Sequence, residues 1–252
     1  MSLRDRLPGS GKAAAFLIHL SISALAVGVV GVAMLILWYP FPYFSFDGGW
    51  QVLRIIVLVD VVLGPLLTLI VFRRGKPGIR RDLSVIGAVQ VAALLYGAGV
   101  MFLYRPAFVV YAENNFFTVA NADVERNTRD RARLDALRAP RGPAFVALSL
   151  PADPADRERL REQMRRGGPP ITWLGDHYQA IDETAWGRIV AGSIPIERLA
   201  RDDSRIAEDL RQFTGKHPRP LREFVFLPVT GRYGVVMLVF ERSSRTPIDW
   251  MQ

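Results

Sequence analysis

From Val57 to Phe72 the chain reads VLVDVVLGPLLTLIVF, where one carboxylate, Asp60, and one Gly64-Pro65 pair interrupt an aliphatic run. Intramembrane ionisable side chains are costly and generally face a protein interior, a partner or a relay. His19, Gln90 and Tyr96 lie in the other long apolar runs and supply further hydrogen-bonding groups. One acid among three apolar segments makes a poor ion pathway. The expected work of Asp60 is hydrogen bonding, to its own helices or to a partner's. Gly64-Pro65 marks a kink or a close helix approach.

Other chemistry-bearing residues form weaker patterns. Asp176-His177 with Asp182 and Glu183 could offer metal ligands, but no HExxH-type spacing accompanies them. The carboxylate pairs Asp182-Glu183 and Asp202-Asp203 read as loop and cap residues. GSGK at 9–12 lacks the first glycine of a phosphate loop, follows no strand, and has Ala13 where Ser or Thr belongs. With no cysteine and no GxSxG elbow, neither thiol nor serine-elbow catalysis is available. The expectation is no catalytic residue, no metal and no cofactor.

The elements that must position the polar residues follow from length and hydropathy. Three runs, about 13–39, 55–72 and 84–103, are long and apolar enough to cross a bilayer. Trp38, Tyr39, Tyr43 and Trp50 mark one interface, as an aromatic belt does. Ala24-Leu25-Ala26 imitates a cleavage site, but the apolar run continues past the length of a signal h-region, so an uncleaved anchor is expected. Arg4, Arg6 and Lys12 precede the first span, and Arg73, Arg74, Lys76, Arg80 and Arg81 lie between the second and third. The positive-inside rule therefore places the N-terminus in the cytoplasm and everything after the third span on the opposite side.

These eight basic residues face only Asp5 and Asp82, and so account for most of the net charge of +8 among 252 residues. The high isoelectric point is thus topological, and nucleic acid is not an expected partner. The division is 1–104, a three-span membrane region, and 105–252, an exported domain large enough to bury a core without disulfides. At about 1.5 Å per residue, Asp60 stands about 18 Å from the end of its span at Phe72. Tyr96 falls near the same level and His19 about 10 Å away along the normal, which pairs Asp60 with Tyr96.

In the exported part, two β-rich runs flank Glu113-Asn114-Asn115, a hairpin signal. Asn121 or Asp123 is expected to cap one charged surface helix running to Arg138. A strand follows Pro143, and Asp153-Pro154 opens a helix that stops at Gly167-Gly168. The stretch 171–192 carries no clear pattern. A helix over 204–213 and a hairpin about Thr230-Gly231-Arg232 complete a small α+β domain.

Four motifs together carry a resemblance: AFLIHLSISAL (15–25), LWYPFPYFSFDGGWQ (37–51), VDVVLGPLLTLIVF (59–72) and RRDLSVIGAVQVAALLYG (80–97). They closely resemble, in the same order, the TfpX/TfpZ family of type IV pilin accessory proteins. The match runs through about the first 105 residues, and the exported domain matches only loosely. The resemblance implies a multi-pass protein of the bacterial inner membrane with its C-terminal domain in the periplasm. It implies a non-enzymatic chaperone whose partners are the cognate major pilin, through transmembrane helix and periplasmic head, and membrane lipid. Type IV pilins carry a glutamate near the cytoplasmic start of their helix. His19 and Gln90 stand at a matching depth and are expected to shelter it. The candidate partner-binding set is His19, Asp60, Gly64, Pro65, Gln90 and Tyr96. Two rival readings are a membrane-anchored ligand sensor, which would need a cytoplasmic output, and a pilin-modifying enzyme, which would need a convergent polar site.

Overall fold

The computed structural model describes residues 10–73, 75–193 and 195–251. Arg4, Arg6, Arg74 and Gly9 of the GSGK run lie outside them. The chain forms two units: residues 10–40 with Gly48–Leu103, and Phe41–Asp47 with everything from Tyr104 onward.

In the first unit, α1 (Ser10–Ala33) widens at its end into a π-helical turn, Met34–Trp38. After the four-residue helix α2 (Tyr43–Phe46), which belongs to the other unit, comes a composite rod. It is built of α3 (Gly49–Ile56), a π-helical segment Val57–Leu63, and α4 (Gly64–Val71). The third rod is α5 (Ile79–Leu103). Three helices, Gly11–Trp38, Gly49–Val71 and Ile79–Leu103, are thus long and apolar enough to span a membrane. The second and third begin before their apolar runs, because main-chain hydrogen bonding continues through Gln51, Arg54 and Arg80–Asp82 where side-chain polarity changes. Leu25, Ile36 and Leu95 are among many aliphatic side chains on the outside, as a lipid solvent requires. Inside, Ile56 packs on Gly97, where a Cβ would come within 3.1 Å of it.

The second unit is α+β. Its strands are β1 (Pro106–Ala112), β2 (Asn115–Ala120), β3 (Ala144–Leu148), β4 (Tyr178–Ala180), β5 (Phe224–Thr230), β6 (Val235–Glu241) and β7 (Pro247–Met251). They form one mixed sheet in the order β4-β3-β1-β2-β5-β6-β7. Glu113 and Asn114 take positive φ, 50° and 62°, in the two-residue turn of the first hairpin. Such turns match the right-handed strand twist. β1 pairs β3 in parallel and β2 pairs β5 in parallel, the latter only at Phe116–Val229 and Phe117–Thr230.

Both faces of the sheet are covered, which is why β1 reads as a continuous apolar run rather than an alternation. Val109, Phe116, Ile189, Leu227 and Phe240 share one core. Phe108, Val110, Val124, Leu134 and Tyr178 form the other. Phe213, Phe226 and Met251 pack a third cluster.

The single charged helix expected after Asn121 is two: α6 (Asn121–Arg126) and α7 (Arg131–Ala136). Neither Asn121 nor Asp123 caps α6, whose N-cap is Ala120. Asp130 caps α7 by accepting from Arg133 N, while the Asp176 carboxylate accepts from the N–H groups of Arg129 and Asp130. A tertiary acceptor thereby satisfies the break, which local sequence cannot announce. Val124 and Leu134 anchor the pair in the core. α8 (Pro154–Arg165) starts on Asp153 as expected, accepting from Ala155 N. α9 (Glu183–Gly192), absent from the expectations, is capped by Asp182, and α10 (Ile196–Asp202) precedes α11 (Ser204–Lys216).

Candidate functional site

Asp60, Thr68, Gln90 and Ser23 are buried although they lie on apolar helices, with Asp60 only 4% exposed. The backbone explains the first contact. At the end of the π segment Gly64 N donates to Val59 O, five residues back. Continued for one step, that pattern would bring residue 65 to the Asp60 carbonyl, but Pro65 has no N–H. A carbonyl left bare in hydrocarbon is unfavourable, which is why membrane-spanning helices pair their backbone groups internally. Gln90 Nε2 of α5 supplies the missing donor, 3.1 Å from Asp60 O. Gly64 admits the carboxamide: any Cβ there would collide with it. Thus Asp60, Gly64, Pro65 and Gln90 form one device joining the second and third rods.

His19 makes the equivalent link to the first rod, its Nδ1 lying 2.5 Å from Thr68 Oγ1. Asp60 Oδ2 and Gln90 Oε1 have no hydrogen-bond partner among the described residues. Tyr96, paired with Asp60 by depth, is instead 76% exposed. Depth fixes position along a helix axis but not rotation about it, and Tyr96 points outward. His19 and Gln90, read together by depth, each engage the second rod instead. The structure therefore gathers His19, Asp60, Gly64, Pro65 and Gln90 into interhelical contacts and leaves Tyr96 apart.

The second unit holds a site that the sequence reading missed. Phe41–Asp47, a loop between two apolar runs in the sequence, is part of the sheet unit. Beyond the short β2–β5 pairing, the Asp47 carboxylate accepts from Thr118 Oγ1 and from Arg232 N, both at 2.9 Å. Phe46 O accepts from Tyr233 N at 2.9 Å, and the Phe46 ring lies against Gly231, where a Cβ would overlap it. Tyr43 and Phe46 are buried in the first core. Burial pushes the Asp47 carboxyl above its ordinary range, against the pull of its hydrogen bonds and of Arg232. Asp123, also buried, lies 3.5 Å from the Arg232 guanidinium, which stacks over Tyr104. The signal that could have revealed this strap is its composition: PFPYFSFDGG is too aromatic for a solvated turn.

Asp176 and Asp182 are engaged as backbone caps, and His217 bonds to Asp249 at 3.1 Å. Among the described residues no three His, Asp or Glu side chains converge to hold a metal.

Residues 9–48, which include His19 and the strap, match the family described as fimbrial assembly protein FimB. The fimbrial assembly protein of serogroups C1 and C2 of Dichelobacter nodosus is 34% identical over 112 residues, 43% of this chain and 82% of that protein. The serogroup I protein of the same organism is also 34% identical over 112 residues, again 43% of this chain but 42% of its own length. The chain thus spans less than half of that longer relative. No solved structure matches. With four-fifths of a 34%-identical relative covered, the chain belongs to the fimbrial assembly protein family.

Proposed function

We propose that this chain is an inner-membrane accessory protein that binds and stabilises the cognate major type IV pilin before pilus assembly, without catalysing a reaction. This is the role implied by its resemblance to the TfpX/TfpZ proteins. The observation that carries the reading is the pairing, in one polypeptide of a fimbrial assembly family, of three lipophilic helices with a folded α+β unit. A pilin subunit awaiting assembly presents a membrane helix and a soluble head, and this chain has a surface for each. The basic residues before the first span and between the second and third support a cytoplasmic N-terminus and a periplasmic sheet unit.

Within this reading the polar set divides its labour. His19, Asp60, Gly64, Pro65 and Gln90 shape the bundle that a pilin helix meets, and Tyr96 stands on the outside where such a helix can reach it. Co-expression with the cognate major pilin tests the role. Pilin should disappear from the membrane when this chain is deleted and return on complementation. An unchanged pilin level without it would overturn the proposal. Replacing His19 and Gln90 together by Leu should lower pilin co-purification.

A further inference from the structure

The sequence of α8, PADRERLREQMR, carries only two long apolar side chains, Leu160 and Met164, four residues apart on one face. A core-facing helix ordinarily presents a broader stripe, and of these two only Leu160 is buried. The rest of the helix is tied to itself. Glu158 pairs with Arg161 and Arg165, Glu162 with Arg165 and Arg166, and Asp156 with Arg159. Asp153 caps one end, and at the other Gly167 N and Gly168 N donate to Met164 O and Gln163 O. Among the described residues, every hydrogen bond and ion pair of 153–166 ends within 151–168. α9 on the same sheet is fastened differently: Ala185, Trp186 and Ile189 are buried, and Trp186 Nε1 donates to Arg242 O at 2.9 Å.

Open space meets α8 in three places. A cleft of about 500 Å³ reaches Met164, a recess of about 280 Å³ is walled by Leu160 and Met164, and a polar cleft of about 620 Å³ runs along Asp156, Arg159 and Gln163. The first two share Ala112, Ile171 and Met164, so α8 is the wall that divides them. Both connections of the helix are built to swing. Pro151 and Pro154 bracket one, and the other is Gly167-Gly168-Pro169-Pro170, with Gly167 at a φ of 83°. We infer that α8 is a lid, hinged at these two connections and latched to the sheet by Leu160, which opens as an intact helix and joins the two recesses into one groove over β1 and β3. Opening breaks no hydrogen bond or ion pair to the sheet, and the internal pairs let the helix persist once it leaves. What it gives up is the burial of Leu160, which sets the closed state as the major one. The lid controls access to the groove and does not depend on the accessory role proposed above.

The chain has no cysteine, so a single introduced thiol reports the opening without background. Two buried alanines serve. Ala112 lines the recess beneath α8, and Ala147 packs with Ala185 and Ile189 of α9. The full chain in detergent micelles carries Ala112→Cys or Ala147→Cys, and a bulky polyethylene-glycol maleimide is followed by gel shift. The lid expects Ala112→Cys to react about tenfold faster than Ala147→Cys or more, because only its cover opens locally. Adding Leu160→Ala should speed Ala112→Cys by about tenfold again while Ala147→Cys keeps its rate and the helical circular dichroism is unchanged. Leu160→Val should give the same order with a smaller gain. Equal rates at the two thiols, no acceleration by Leu160→Ala and Leu160→Val, or an equal acceleration at both thiols by Leu160→Val overturns the lid, the last by showing that Leu160 holds the whole unit rather than one helix.

Discussion

The helical unit and the sheet unit meet the same difficulty, main-chain polar groups left without neighbours, and answer it under different solvents. In the helices the gap is one carbonyl, at Asp60, opened by Pro65 and closed by Gln90 through the space that Gly64 leaves. In the sheet the gap is the place where β2 and β5 part, and the strap fills it with the Asp47 carboxylate and the Phe46 carbonyl. Each closure depends on a glycine, Gly64 or Gly231, at which any Cβ would collide with the incoming group. The solvent makes the difference. Water can stand in for a lost partner in the sheet unit, whereas hydrocarbon offers none.

That contrast is open to attack, most forcefully at the glycines. Gly64→Ile should be the most damaging change, costing about 3 kcal/mol or more by forcing Gln90 out of its seat and re-exposing the carbonyl. Detergent unfolding, or the steady-state amount of the chain in membranes, reports it. Wild-type behaviour would mean that the Gln90 contact is dispensable. Gly231→Val should cost about 1–3 kcal/mol in the sheet unit by displacing Phe46. Combining it with Phe46→Ala should give less than the sum of the two single losses, and strict additivity in that cycle would refute the contact.

A smaller effect tests the proline argument directly. Gln90→Leu should cost about 1 kcal/mol, the scale of interhelical hydrogen bonds in membranes. Pro65→Ala, which restores the N–H, should make the Gln90→Leu change milder; an equal loss in both backgrounds would remove Pro65 from the explanation. The mildest effect concerns pH. Because burial raises the Asp47 carboxyl, the folded unit binds its proton more tightly than the unfolded chain does. Its contribution to stability is therefore full below the ordinary carboxylate range and is lost as pH rises through the raised value. Arg232 and Tyr43 are the titratable neighbours. Thermal midpoints of wild type and Asp47→Asn should converge in acid and separate as pH rises, with the variant then the more stable. A constant difference across pH would exclude Asp47 as the source.

The same solvent contrast explains what could be read from the sequence. Three apolar rods and an α+β unit were legible, because long hydropathy runs and the turn and cap signals at Asn114 and Asp153 are local. A lone carboxylate among aliphatic residues is conspicuous, so Asp60 drew attention, and Gly64-Pro65 with it. Its contact with Gln90 was not legible, because depth counts residues along an axis and says nothing of the face each side chain takes. Asp47 does similar work in the other unit, yet among ordinary polar residues nothing distinguished it. Likewise the Asp176 carboxylate that ends α6 lies 46 residues from Asp130 in the chain, beyond any local pattern.

The strap also bears on how the chain is made. Two apolar rods, Gly49–Val71 and Ile79–Leu103, separate Asp47 from Tyr104. The sheet unit can close around Phe46 only when an even number of membrane crossings lies between them. A chain in which one of the two rods failed to insert would leave strap and sheet on opposite sides of the bilayer, with Gly231 and Thr118 facing an empty seat. Completion of the sheet unit thus depends on the parity of insertion.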